Sequence, residues 1–320
     1  MRVLMFGRGV IATIYGHVLQ AAGHDVEFYV RPGRAAEYGD GAHVDLIDAR
    51  RKPWRQRVRA TVPLHLRESM DAGDRFDLVV LSVGHHRLAE AASFLAPRIG
   101  DATVLVFGNV WKEPSAAVAP IPLDQVVFGF PLAGGGFADD GVLHGALLGS
   151  VILGRASASR TPREAAVAEL FRRAGLSVRE EADMRGWLLI HFAADAGMFA
   201  QGIHLGGIAG MVGNRRALKA ALETSRELIP VLTSRAVDLG RHRSTLTPFR
   251  MPGMVAAAMA LATALIPFAR TNLAAHTDPY SAEARAILTD MHVEAHRLGI
   301  PVPRLDAALR DAPVTAARSR

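Results

Sequence analysis

The chain has no cysteine. That excludes disulfides, a thiolate nucleophile and thiolate metal sites, and it fits a reducing cytoplasm, where we expect the protein. Lysine is nearly absent. Only Lys52, Lys112 and Lys219 occur, so arginine carries almost all of the net charge of +6. Alanine is abundant too, which reads as compositional bias and makes the charge a weak pointer to partners. The thirteen histidines include no His-Glu-x-x-His motif, so no metal is expected. No nucleic-acid motif accompanies the densest basic stretch, residues 50–59. Its end, Arg57-Val58-Arg59, alternates like a strand with a solvated basic face. Residues 251–269 lack charge. They are interrupted by Pro252, Gly253 and Pro267 and are rich in alanine, which predicts a buried helix of a soluble domain rather than a membrane span. A secretory leader is not expected either, because Gly7, Arg8 and Gly9 cut short the apolar run after Met1-Arg2.

What is present suffices for two domains: 320 residues, 50% of them hydrophobic. The first thirty-four residues set the pattern. Arg2-Val3-Leu4-Met5-Phe6 reads as a buried strand, Gly7-Arg8-Gly9-Val10-Ile11-Ala12 follows, residues 13–22 read as a helix, and Val26 to Val30 as a second strand. A G-x-G-x-x-A turn inside a β-α-β unit is the form of a dinucleotide site. Gly7 permits the tight turn, Gly9 lets backbone approach a pyrophosphate, and Ala12 lets helix and strand pack closely. Open N–H groups at the helix start favour phosphate. The second strand ends in Arg31-Pro32-Gly33-Arg34 rather than in the acid that would hold ribose hydroxyls. Arg31 and Arg34 suit a 2′-phosphate, so NADP(H) is the expected cofactor.

Further strands are predicted over residues 76–83, 102–107 and 126–130, and edge strands of a small excursion over 43–47 and 58–62. A helix is predicted over 88–95. Residues 132–140, with three consecutive glycines, read as a flexible connection, and 142–147 and 151–154 as two antiparallel strands. The carboxyl ends of the central strands place the Gly7 loop, Arg31, Val83, Gly84, His85, His86 and Asn109 on one rim. A helix begins at Thr161-Pro162. Long helices are predicted over 183–201, 214–239, 254–268 and 281–298, and a disordered tail over 314–320. The fold class is thus α/β: a Rossmann-type doubly wound sheet (residues 1–165) followed by an all-α domain (166–320).

This pattern resembles the ketopantoate reductase family along almost the whole chain. The resemblance rests on the glycine motif with Arg31, the strand leading to Asn109, the region from Gly129 to Gly154, Trp187, and Glu283 sixteen residues before Gly299-Ile300-Pro301-Val302-Pro303. It implies an NADPH-dependent oxidoreductase that reduces a 2-oxo acid or related ketone in a cleft between the domains. The partners are then a small carbonyl substrate and a second copy in a homodimer, with no nucleic acid and no membrane. Arg8, Val10 and Ile11 join the glycines in the implied cofactor set. By position, Glu283 matches the family's catalytic glutamate, Asn109 an asparagine lining cofactor and substrate, and Thr271 a substrate-binding serine.

The departures are equally specific. Where the resemblance expects the catalytic lysine, two residues after Trp187, stands Leu189. The two asparagines one and two turns on are Ala193 and Gly197, and another frequent lysine is Gly84. A leucine cannot polarise a carbonyl, so a reductase needs another proton donor. His191 is one candidate, with Asp195 one turn on. Two residues rotate a helix by about 200°, however, so His191 points away from the lysine position, and a buried His–Asp pair is the alternative. Lys112, three residues after Asn109, is the other candidate. Two readings follow: a reductase whose substrate is not ketopantoate, or a nucleotide-binding relative that has lost hydride chemistry.

Overall fold

The computed structural model describes residues 1–50, 56–155, 160–274 and 281–311, in two compact units that divide between Leu188 and Leu189. The first unit is built on strands β1 (Arg2–Phe6), β2 (Asp25–Tyr29), β3 (Gly41–Asp48), β4 (Arg57–Pro63), β5 (Leu66–Arg67), β6 (Leu78–Leu81), β7 (Thr103–Phe107), β8 (Val126–Phe137), β9 (Leu143–Gly154) and β10 (Ser177–Glu181). Among the described residues they form a single sheet in the order β4-β3-β9-β8-β7-β6-β1-β2-β5, with β10 also on β9. Its helices are α1 (Val10–Ala21), α2 (Ala35–Tyr38), α3 (Leu88–Leu95), α4 (Pro114–Val118) and α5 (Pro162–Arg173).

Strands β2, β1, β6, β7 and β8 run parallel, with Val3 opposite Val26 on one side and Leu78 on the other. Side chains alternate along β1. Val3 and Met5 pack with Ile14, Tyr15 and Val18 of α1 and Phe171 of α5, whereas Leu4 packs with Val79, Leu88 and Ala92 on the opposite face. Burial on both faces is why these strands are continuous apolar runs. Each large apolar side chain so buried contributes about 1.5–3 kcal/mol. Helix α5 starts where Thr161-Pro162 predicts: the Thr161 hydroxyl accepts from the Glu164 N–H, and the Glu164 carboxylate accepts from the Thr161 N–H.

Three expectations for this unit change. Residues 132–140 are not a flexible connection, because β8 runs on through the three glycines to Phe137, and the two short strands after it are one long strand, β9. The glycines serve close approach. A Cβ on Gly135 would lie 2.6 Å from the His144 carbonyl oxygen, and one on Gly145 would lie 2.6 Å from that of Gly134. Strand β3 is not an edge: it lies between β4 and β9, and only β4 is outermost. The unit also extends past residue 165, since α5 packs into its core and β10 pairs with β9. The basic face of β4 is as expected, with exposed Arg57 and Arg59 both reaching Asp45. Arg50 turns inward to Asp48 and donates to the Ala174 carbonyl at 2.7 Å. The rest of that basic stretch, residues 51–55, lies outside the described residues.

The division falls within α6 (Met184–Leu205), and the second unit continues with α7 (Arg215–Glu227), α8 (Ile229–Ser234), α9 (Thr247–Arg250), α10 (Pro252–Leu265), α11 (Pro267–Ala274), α12 (Ala282–Arg297) and α13 (Pro303–Asp311). Two predicted helices are broken by proline. Residues 214–239 split into α7 and α8 near Pro230, and residues 254–268 split into α10 and α11, bent by 106°. At the second break Arg270 donates to the carbonyls of Thr263 and Ala264, which the interrupted helix leaves open. Helix α10 is buried on one side only, by Ala256, Ala260 and Thr263, while Met254, Leu261 and Leu265 are exposed. Among the described residues, no single helix is long and apolar enough to cross a membrane. The expected tail, residues 314–320, lies outside the described residues.

Gly135→Ala tests the close approach of β8 and β9. The added methyl meets backbone rather than a movable side chain, so the variant should lose about 1–3 kcal/mol in urea denaturation. A neutral result would show that the ladder can open there.

Candidate functional site

In the first unit the chain leaves β1 toward β2 and later returns to the other side of β1 as β6. Connections beyond the carboxyl ends of these strands must part there, which leaves a crevice. A cavity of about 320 Å³ occupies it, lined after β1 by Gly7, Arg8 and Gly9, after β2 by Val30, Arg31 and Arg34, and after β6 by Ser82, Val83 and Gly84. Seven of the residues expected to bind cofactor are thus brought together. Val10, Ile11 and Ala12 form the first turn of α1 behind the loop, with Ala12 buried as expected for close packing.

The geometry of the loop suits an anion. Gly7 takes φ +114°, which an L side chain rarely adopts, and its N–H is held by the Tyr29 carbonyl at 2.9 Å. A Cβ on Gly9 would meet no protein atom within 4 Å, so backbone is bare to the cavity. Helix α1 has no side-chain cap and no acid in its first turn. Its open N–H groups can therefore bind phosphate. Two polar atoms on the lining residues, Arg8 Nε and Ser82 Oγ, are buried with no hydrogen-bond partner among the described residues. Such atoms are costly unless something pairs with them. These features fit the phosphates of a dinucleotide.

Residues not singled out in the sequence build the rest of the wall. Tyr38 of α2 lies 4.9 Å from the Arg8 guanidinium and 5.5 Å from that of Arg34; the Phe137 ring, outside the lining, lies 4.4 Å from Arg8. Burial lowers the pKa of Arg8. Phe6 stacks on Tyr29 at 4.9 Å, and Phe94 of α3 lies 5.0 Å from Tyr29. Arg31 is exposed and, among the described residues, forms no ion pair; Arg34 pairs with Glu37 at 2.9 Å. Glu68 braces the turn that carries both arginines: its carboxylate accepts the Ala35 N–H at 2.6 Å. Hydrogen bonds from the backbone of Ala35, Gly33 and Arg34 lower its pKa. The brace is therefore complete above the ordinary carboxylate range and is lost as pH falls through the lowered value. Tyr38 sits nine residues from strand β2, and no spacing rule links it to the glycine loop.

Other candidates lie elsewhere. Asn109 is buried in the loop after β7 but is not among the residues lining this cavity. Lys112 is exposed in the same loop, and His85 and His86 form a turn of 3₁₀ helix after Gly84, with their rings 5.7 Å apart. In the second unit, His191 Nε2 is 3.5 Å from Asp195 Oδ1 on α6, the pair being half-buried rather than sealed in the core. Glu283 stands in the first turn of α12, after the Ser281 cap, and Thr271 on α11.

The three departures on α6 fall on one face, at i, i+4 and i+8. Leu189 and Ala193 are buried, and a Cβ on Gly197 would lie 2.1 Å from Ser225 Oγ and 2.4 Å from the Ala221 carbonyl oxygen. Helix α7 therefore occupies the space that an asparagine would need. Gly197→Asn should cost at least about 1–3 kcal/mol in chemical denaturation. An unchanged stability would mean that α7 yields easily and that the face is not committed to packing.

Residues 3–158 match the model of the family described as ketopantoate reductase PanE/ApbA. No curated protein matches the sequence. Among solved structures, the chain is similar to a putative ketopantoate reductase from Ralstonia solanacearum MolK2, at 18% identity and TM-score 0.69 over 97% of this chain and 96% of that one. It is also similar to the 2-dehydropantoate 2-reductase from Geobacter metallireducens GS-15, at 17% identity and TM-score 0.65 over 98% and 99%. A third is D-mandelate dehydrogenase, solved as a ternary structure with NADH and anilino(oxo)acetate, at 15% identity and TM-score 0.68 over 98% and 97%. The matched region, from Val3 to residue 158, carries the glycine loop and the cavity.

Proposed function

We propose that the protein is an NADPH-dependent reductase of a small carbonyl compound, a 2-oxo acid or related ketone other than ketopantoate. The observation that carries this reading is the cavity at the carboxyl ends of β1, β2 and β6, where bare glycine backbone, the open start of α1 and two arginines after β2 converge. Arg31 and Arg34 stand where an acid would favour NADH, and they suit a 2′-phosphate. The solved D-mandelate dehydrogenase carries NADH and anilino(oxo)acetate, which supports a nicotinamide cofactor and a 2-oxo acid class here. Bound NADPH would supply a hydride to the carbonyl carbon. The chain must then stabilise the oxygen and deliver a proton. Glu283, His191 and Lys112 are the groups proposed for that, and Asn109 and Thr271 for holding substrate. Ketopantoate is disfavoured because Leu189, Ala193 and Gly197 offer it no polar group. The same reading includes a cytoplasmic protein that forms a homodimer, the latter measurable as its mass in solution.

The packed face of α6 favours a second reading, in which nucleotide binding is kept and hydride chemistry is lost. Titration with NADPH and NADH, followed by nicotinamide absorbance over a panel of 2-oxo acids and ketones, separates the two. NADPH should bind more tightly. Arg31→Ala should weaken it by about ten- to a hundredfold, the loss of one charge-assisted hydrogen bond, and Glu68→Gln should weaken it less, through the turn. Binding without turnover of any compound would leave only the second reading. Binding of neither nucleotide would overturn both.

If turnover is found, Glu283→Gln should lower kcat by about 10²–10⁴ without weakening NADPH binding. An unchanged kcat would remove Glu283 from the chemistry.

A further inference from the structure

The last two helices of the second unit bring together three metal-ligating side chains that the reductase reading does not use. His292 and His296 stand four residues apart on α12, so their side chains share one face a turn apart. Asp306 approaches them from α13, beyond the turn at Gly299. Each histidine Nε2 lies 3.0 Å from the same oxygen, Asp306 Oδ1. The rings are 4.3 Å apart, and the three ligand atoms all lie within 4.8 Å of one another. The two histidines have the i, i+4 spacing of His-Glu-x-x-His, but Val293 stands at the glutamate position, so that pattern misses the pair, and the third ligand comes from another helix.

We propose that His292, His296 and Asp306 bind one divalent transition-metal ion, for which zinc is the best match. Zinc takes imidazole nitrogen at about 2.0–2.1 Å and carboxylate oxygen at about 2.0–2.2 Å in a tetrahedron. The edges of that tetrahedron are about 3.3–3.5 Å on those bond lengths, so the observed 3.0 Å separations need to open by only a few tenths of an ångström. His296 is more than half exposed and His292 one-third exposed, which gives an entry path and leaves room for water as the fourth ligand. The surroundings favour a cation. The Glu227 carboxylate accepts the N–H groups of Arg304 and Leu305, the two residues before Asp306. The neighbouring arginines are already paired, Arg304 with Glu223 and Arg297 with Glu294, both at 2.7 Å. Without an ion, one carboxylate oxygen takes both Nε2 protons. With the ion, each neutral imidazole carries its proton at Nδ1. The ion would then staple α13 to α12, a role independent of the nucleotide cavity.

The test strips the full-length protein with EDTA, removes the chelator and titrates zinc chloride against a chromophoric competitor. One equivalent should bind tightly, and the melting temperature should rise with it. His292→Ala, His296→Ala and Asp306→Asn should each lose that equivalent and the thermal shift. Cobalt substitution should give the intense visible bands of a tetrahedral site in the parent protein only. Should an alanine variant fail to fold, His292→Gln with His296→Gln, checked by circular dichroism, replaces it. One tight equivalent that survives loss of both histidines would place the metal elsewhere among the thirteen and overturn the proposal. So would the absence of saturable zinc binding by the parent protein.

Discussion

Everything at the cavity beside the glycine loop depends on one topological constraint. Parallel neighbours β2, β1 and β6 can be connected only over the faces of the sheet, and the chain passes from one side of β1 to the other. Their carboxyl ends therefore cannot be closed by hairpins, and three loops must face a common gap. The glycine loop fills that edge with backbone rather than side chain, and the start of α1 aims its N–H groups into it. The remaining side chains serve to place positive charge. Tyr38 and Phe137 flank Arg8, and Glu68 holds the turn bearing Arg31 and Arg34. A cavity so lined presents dipoles and positive charges of the kind that suit a phosphate.

Helix α6 shows a different use of the same kind of element. A face that the resemblance assigns to a lysine and two asparagines carries leucine, alanine and glycine, and all three are spent on burial and on the close seat of α7. The substitutions agree with one another. Packing α7 so near Gly197 leaves no volume for an amide there, and a lysine at Leu189 would place an ammonium where burial penalises its charge. A polar site cannot be restored on such a face by one replacement, because the neighbouring helix has moved into its space.

Much of the fold is legible along the chain. The β-α-β start, the limits of α3 and the capping box of α5 follow from local signals: apolar period, Pro at the first helical turn, and a hydroxyl before a glutamate three residues on. Misreadings arise where one residue type has two physical uses. Glycines 134–136 resemble a loop because glycine is common in turns, yet here they allow β8 and β9 to touch. Strand β3 resembles an edge because its hairpin with β4 is local, whereas its second partner, β9, comes a hundred residues later. The cavity-lining glycines and arginines were readable, since the motif is local. Tyr38, Glu68 and Phe94 were not, since each reaches the site from its own segment.

The sequence by itself determined the order of strands and helices, the glycine loop, the arginines after β2 and the leucine at position 189 of α6. These are short-range matters, settled by backbone sterics, apolar period and the identity of single residues. Only the tertiary structure decided which strands are neighbours, which aromatic rings flank Arg8, that Gly197 seats α7, and that Asp306 meets two histidines of another helix. Those outcomes depend on contacts between segments far apart in the chain, whose partners are chosen by close packing of the whole unit and not by any local preference.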